Sequence, residues 1–139
     1  MLASAAFLPY HGPMPKTVLL IDDDNDFLTA TKTVVEGAGF AVKTAASGEE
    51  GLKAVRSSAP DLIVLDVMMP GMDGWSVCES LKAAPATCGI PVIMLTAVAS
   101  KVKDTDYTHA SGQATEADDY IPKPVAPQVL VERIKRLAG

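Results

Sequence analysis

Apolar positions along the chain fall into short β-branched runs that alternate with stretches of helical spacing. TVLLI (Thr17–Ile21) is a continuous apolar run of strand length. Asp26 to Glu36 follows with Phe27, Thr31, Val34 and Val35 at helical spacing, and Gly37 and Gly39 mark its stop. FAVKTA alternates as a half-buried edge strand. Ser47 and Glu50 then stand at the S-x-x-E spacing of a capping box, which predicts that each side chain satisfies the other's backbone N–H at the start of a helix. DLIVLD (Asp61–Asp66) is the next buried strand, and MMPGMDG is a loop built on Pro70, Gly71 and Gly74. GWSVCESLKAA is helical, with Trp75, Cys78 and Leu81 on one face. IPVIMLTA is a fourth strand, where Pro91 is tolerated only at the start. ADDYIPKP holds a short fifth strand, and APQVLVERIKRLAG a final helix with Pro127 in its first turn and Leu130, Ile134 and Leu137 on one stripe.

Strands that alternate with helices predict a parallel sheet covered on both faces, because parallel strands need crossover connections. Ligand sites in such folds lie beyond the carboxyl ends of the strands. A length of 139 residues, 48% of them apolar, suits one α/β domain. That domain is expected over residues 16–139, with residues 1–15 a disordered extension or a mis-assigned start, since Met14 stands just before the first strand. The formal net charge of −5 argues against nucleic acid or an anionic membrane as a direct partner. No apolar run approaches the ~20 residues of a membrane-spanning helix. Cys78 and Cys88 form no C-x-x-C pair, so the expectation is a reduced, cytoplasmic protein without a structural disulfide.

The candidate chemistry sits at the strand ends. The first strand is followed by Asp22 and Asp23, the third ends in Asp66, the fourth in Thr96, and the fifth leads to Lys123. Three carboxylates, a hydroxyl and an ammonium therefore converge at one end of the sheet. Clustered carboxylates make an all-oxygen pocket for a hard cation, Mg²⁺ first among them, with waters completing its octahedron. Such a pocket suits phosphoryl transfer: cation and lysine offset phosphate charge, a hydroxyl bonds an equatorial oxygen, and a carboxylate serves as nucleophile.

With these residues in place, the chain resembles the receiver domains of two-component response regulators. VLLIDDD, DLIVLDVMMPGMDG, PVIMLTA and DDYIPKP each match that family's motifs, in its order, over about Lys16 to Leu137. The resemblance implies a flavodoxin-like (βα)5 doubly wound sheet of order 2-1-3-4-5. It also implies Mg²⁺-dependent transfer of a phosphoryl group from a sensor histidine kinase to Asp66. Asp23 and Asp66 would bind Mg²⁺ directly, Asp22 largely through water, and the backbone carbonyl of Met68 would be a further ligand. Thr96 would bond the phosphoryl oxygen, Lys123 would pair with it ahead of a cis Lys123–Pro124 bond, and Tyr120 would be the aromatic switch that follows Thr96. A chain ending at Gly139 leaves no room for an output domain, so signalling through a partner protein or a phosphorelay component is expected.

The chain departs from the family between Thr96 and Tyr120. The segment AVASKVKDTDYTHASGQATEADD is longer than usual, its apolar positions are sparse (Val98, Val102, Tyr107), and Glu116 stands where many receivers have Gly. An atypical fourth helix region is expected there. His11 and His109 read as surface residues. Two other functions compete. A phosphatase of the haloacid dehalogenase type would use the first Asp of a D-x-D motif, nominally Asp22, but would give Asp66 no role. An EF-hand calcium loop starting at Asp22 needs Gly at its sixth position and Glu at its twelfth, where Phe27 and Thr33 stand, so that reading fails. Within the acidic run itself, Asp24 is expected to cap the first helix and Asp26 to sit in its first turn.

Overall fold

In the computed structural model, which describes residues 15–96 and 117–138, the strands and helices alternate as expected. Strand β1 (Thr17–Ile21) leads to helix α1 (Asn25–Gly37), β2 (Ala41–Ala45) to α2 (Gly48–Ser57), and β3 (Leu62–Asp66) to α3 (Gly74–Ala83). Then come β4 (Val92–Thr96), β5 (Asp119–Pro122) and the last described helix, α4 (Pro127–Ala138). The strands pair in the order β2-β1-β3-β4-β5, each pair parallel. This is the flavodoxin-like, doubly wound order. The segment expected to hold an atypical fourth helix, with Val98, Val102, Tyr107, His109 and Glu116, lies outside the described residues, as do His11 and residues 1–14.

The unbroken apolar runs follow from burial on both faces of the sheet. Leu19, Ile21, Ile63, Leu65, Val92 and Met94 join one core with residues of α2 and α3, including Leu52, Val55, Val77 and Leu81. Their neighbours along the strands, Val18, Leu20, Leu62, Val64, Ile93 and Leu95, join the other core with Leu28 and Val35 of α1 and Leu130 and Ile134 of α4. A strand between two helical layers has no solvent face, so its polar groups are pushed to its ends.

Two local expectations shift. Helix α1 buries Leu28, Thr31 and Val35, whereas Val34 is 37% exposed. The buried stripe runs at i, i+3 and i+7, and Val34 lies a third of a turn off it. In α2, the Ser47 side chain accepts from the Glu50 N–H as predicted, but the Glu50 carboxylate accepts from the N–H of Ala46, one residue beyond the cap. Cys78 and Cys88 are free thiols, the first buried and the second exposed. None of the helices among the described residues is long and apolar enough to cross a membrane.

At the amino ends of the strands, acidic side chains serve the fold. Asp61 accepts from the Thr17 N–H at 2.7 Å. Asp118 accepts from the Val92 N–H at 2.8 Å and pairs with Lys82, whose ammonium also donates to the carbonyls of Cys88 and Ile90. Asp119 pairs with Arg133 at 2.7 Å and Arg136 at 3.4 Å, tying β5 to α4.

Candidate functional site

At the carboxyl ends the ladders continue past the strands and carry the polar residues with them. The Asp22 N–H donates to the Ala45 carbonyl, that of Val67 to Leu95, and that of Lys123 to Thr96. Backbone hydrogen bonds thus set Asp22, Asp66 and Thr96 at the ends of the three inner strands, and tie Lys123, just after the edge strand β5, to the end of β4. The Lys123–Pro124 bond is cis.

Asp66 is 4% exposed, Asp22 1% and Thr96 6%, while Asp23 is exposed. Asp22, Asp23 and Asp66 each offer an oxygen within 4.8 Å of the others. The Lys123 ammonium lies 2.9 Å from Asp22 Oδ2 and 3.3 Å from Asp66 Oδ1. Asp22 Oδ1 accepts from the N–H of Asp24 at 2.9 Å. Both oxygens of Asp22 are therefore engaged within the protein, and Asp23 and Asp66 have the freer lone pairs. Thr96 Oγ1 is buried and has no hydrogen-bond partner among the described residues.

Burial pushes the Asp66 carboxyl up from 3.8 to about 6, and the charge of Asp22 pushes in the same direction. Lys123 and a backbone hydrogen bond from Met68 oppose this without cancelling it. For Lys123, burial pulls the ammonium down, but its hydrogen bond to Asp22 and the charges of Asp22 and Asp66 hold it above its ordinary value. Among the described residues, one cation faces three carboxylates and leaves the pocket net negative. An all-oxygen donor set, that surplus of negative charge and a buried hydroxyl with no partner among the described residues fit a hard divalent cation together with an anionic oxygen ligand.

The structure brings Asp22, Asp23, Asp66 and Lys123 together at this sheet end, where β4 also ends in Thr96; the side chains of Met68 and Tyr120 are not part of that cluster. Met68 is 60% exposed in the loop after Asp66. Tyr120, on β5, is half-buried, with its ring centroid 6.1 Å from that of Trp75 at the start of α3. The acidic run divides as expected: Asp24 caps α1 by accepting from the Phe27 N–H at 3.1 Å, and Asp26 lies in the first helical turn.

Two participants escaped sequence reasoning. The Phe27 ring centroid is 4.8 Å from the Lys123 ammonium. Its signal was an aromatic in the first turn of the helix that follows the acidic pair. Gly74, read only as a loop glycine, sits against the backbone at the end of β3: a Cβ there would come 2.3 Å from the Asp66 carbonyl oxygen and 2.7 Å from Val67 Cα.

A parallel 2-1-3-4-5 sheet with an acidic pocket, a threonine and a lysine at the carboxyl ends of its strands is the architecture of a flavodoxin-like signal receiver. Residues 18–135 match the family model described as the response regulator receiver domain. The transcriptional regulatory protein AfsQ1 of Streptomyces coelicolor is 44% identical over 119 residues, covering 86% of this chain and 49% of AfsQ1. The alkaline phosphatase synthesis transcriptional regulatory protein PhoP of Bacillus subtilis is 39% identical over 124 residues, covering 89% of this chain and 49% of PhoP. Among solved structures, the signal receiver domain of a signal transduction histidine kinase from Syntrophus aciditrophicus superposes with a TM-score of 0.78 at 33% identity, covering 88% of this chain and 89% of that one. The chain belongs to the response regulator receiver domain family of two-component signalling systems. It spans about half the length of the curated relatives it matches. The phosphatase reading gains no support from these comparisons.

Proposed function

We propose that Asp66 is the phosphoacceptor of this receiver, taking its phosphoryl group from a phosphohistidine of a sensor kinase. The observation that carries the reading is the convergence on one buried carboxylate of two further carboxylates, an ammonium and a hydroxyl without a partner among the described residues. In the transfer, an Asp66 oxygen attacks phosphorus, the P–N bond breaks with its electron pair going to the imidazole, and an acyl phosphate forms. Mg²⁺ held by Asp23, Asp66 and the Met68 carbonyl, with Asp22 acting largely through water, would neutralise charge on the transferring group.

Lys123 lies close enough to Asp66 to follow the charge as it moves onto the phosphoryl oxygens. Thr96 Oγ1 gains a partner by donating to one of those oxygens. Phosphorylation adds about −1.5 to −2 charge and three acceptors at this point. Drawing Thr96 inward shifts the surroundings of Tyr120, and with them the surface a partner reads. No external substrate is turned over; the module takes part in its own phosphorylation and dephosphorylation. The downstream partner is a protein or a phosphorelay component, and an ATP-derived donor places the exchange in the cytoplasm. The acidic receiver is not itself the nucleic-acid-contacting part, although AfsQ1 and PhoP are named as transcriptional regulators over about twice this length.

Incubation with acetyl phosphate and Mg²⁺, followed by peptide mapping, tests the assignment. Modification of Asp66 supports it, and modification of Asp22 would revive the phosphatase chemistry. Metal titrations test the division of the acidic run. Asp23→Ala is expected to lose measurable Mg²⁺ binding. Asp26→Ala keeps it and costs only about 0.3–1 kcal/mol of stability through the helix dipole. Equal losses of affinity in the two variants would contradict the division.

A further inference from the structure

Lys123 makes a third contact besides its two carboxylates. The Phe27 ring lies 4.8 Å from its ammonium, within the range of a cation–π interaction. Phe27 does not reach this position by chance of rotamer alone. Its backbone N–H is held at 3.1 Å by the capping carboxylate of Asp24, the Asp24 N–H is held at 2.9 Å by Asp22 Oδ1, and Asp22 Oδ2 holds Lys123 at 2.9 Å. The ring also packs against the core under α1 and α4. Lysine, aspartate, helix cap and aromatic ring thus form a closed circuit in which each member fixes the next.

We propose that Phe27 is a positioning residue for Lys123, holding the ammonium over the acceptor site while the charge on Asp66 changes. The inference rests on the assignment of Asp66 as phosphoacceptor. A carboxylate in the place of Phe27 would draw the ammonium into another ion pair and away from the incoming phosphoryl group. An aromatic face attracts the cation without a full charge of its own, and its pull does not depend on whether Asp66 is free, metal-bound or phosphorylated.

The test compares Phe27→Leu, which keeps the apolar bulk and removes the ring, with Phe27→Tyr, which keeps the ring. Phosphorylation by acetyl phosphate at saturating Mg²⁺ is expected to slow between about threefold and thirtyfold in Phe27→Leu, and to stay within about twofold of the parent chain in Phe27→Tyr. Mg²⁺ affinity is expected to be unchanged in both, since the ring supplies no oxygen ligand to the cation. In an NMR spectrum, the Lys123 ε-methylene protons are expected to be displaced by the ring current in the parent chain and Phe27→Tyr, and not in Phe27→Leu. A Phe27→Leu chain that phosphorylates at the parental rate, or one whose rate falls only in step with a loss of Mg²⁺ binding, would overturn the role of Phe27. Failure of the parent chain itself to be modified on Asp66 would instead overturn the acceptor assignment, and this inference with it.

Discussion

Asp66→Asn is expected to accept no phosphoryl group and, in metal-free buffer at pH 7, to be more stable than the parent chain by as much as roughly 3 kcal/mol. Burial raises the Asp66 carboxyl from 3.8 to about 6, and Asp22 adds to the effect. The folded state therefore binds the proton more tightly than the unfolded chain does. That contribution to stability is fully present below about 3.8, fades as pH rises through about 6, and is gone at pH 7, where the ionised carboxylate is a burden on the fold. Asparagine fills the same space without the charge, and Lys123 keeps Asp22 at 2.9 Å. Thermal melts in EDTA across pH 4–8 check this. The parent chain loses stability on going from pH 5 to 7 relative to Asp66→Asn, and Mg²⁺ narrows the gap at pH 7. Parallel melting curves for the two chains would contradict the account, because they would mean that Asp66 is not held in an unfavourable electrostatic environment.

Gly74→Ala, at the buried start of α3, is expected to be among the most damaging single substitutions near the site. The added Cβ would meet the Asp66 carbonyl oxygen at 2.3 Å and Val67 Cα at 2.7 Å. These are backbone atoms of the central sheet, held by the Val67-to-Leu95 hydrogen bond, and they cannot swing aside as a side-chain tip could. Helix α3 must retreat instead, and with it the Gly74-to-Val67 hydrogen bond that closes the loop after Asp66. A loss of roughly 1–3 kcal/mol follows from overpacking, toward the upper end because the neighbours are rigid. Because the displaced atoms carry Asp66 itself, phosphorylation by acetyl phosphate should fall in whatever fraction remains folded. Gly89→Ala is the control: its Cβ meets nothing within 4 Å, so stability should stay within about 0.5 kcal/mol. Similar melting points for the two alanine variants would show that α3 does not bear on β3 as described.

The parts of the molecule that were legible in the sequence are those where local pattern and long-range geometry coincide. A parallel sheet buried on both faces forces its polar groups to the strand ends, so Asp22, Asp66, Thr96 and Lys123 stand out against apolar runs. The Asp24 cap was equally readable, since it depends only on residues within one helical turn. Phase within a helix was less secure. Val34 and Leu28 both fit a helical period, and only packing against β-strand residues decides which faces inward. The reach of Glu50 to Ala46 instead of Ser47 is a matter of side-chain length and local backbone course. Phe27 and Gly74 were invisible for a different reason. Their roles arise from contacts with residues on other elements, an ammonium after β5 and a carbonyl at the end of β3, and the local pattern, an aromatic in a first helical turn and a glycine after a loop, does not name those partners.

Direct phosphotransfer tests the central claim most closely. A sensor kinase autophosphorylated with radiolabelled ATP and freed of nucleotide is mixed with the chain in Mg²⁺, in EDTA, and with Asp66→Asn in Mg²⁺. For a kinase that recognises this receiver, label is expected to leave the kinase and appear on the parent chain in Mg²⁺ only, at Asp66. Label on Asp66→Asn at the parental rate, or transfer undiminished in EDTA, would contradict the assignment of Asp66 and its acidic neighbours as a cation-dependent phosphoacceptor site.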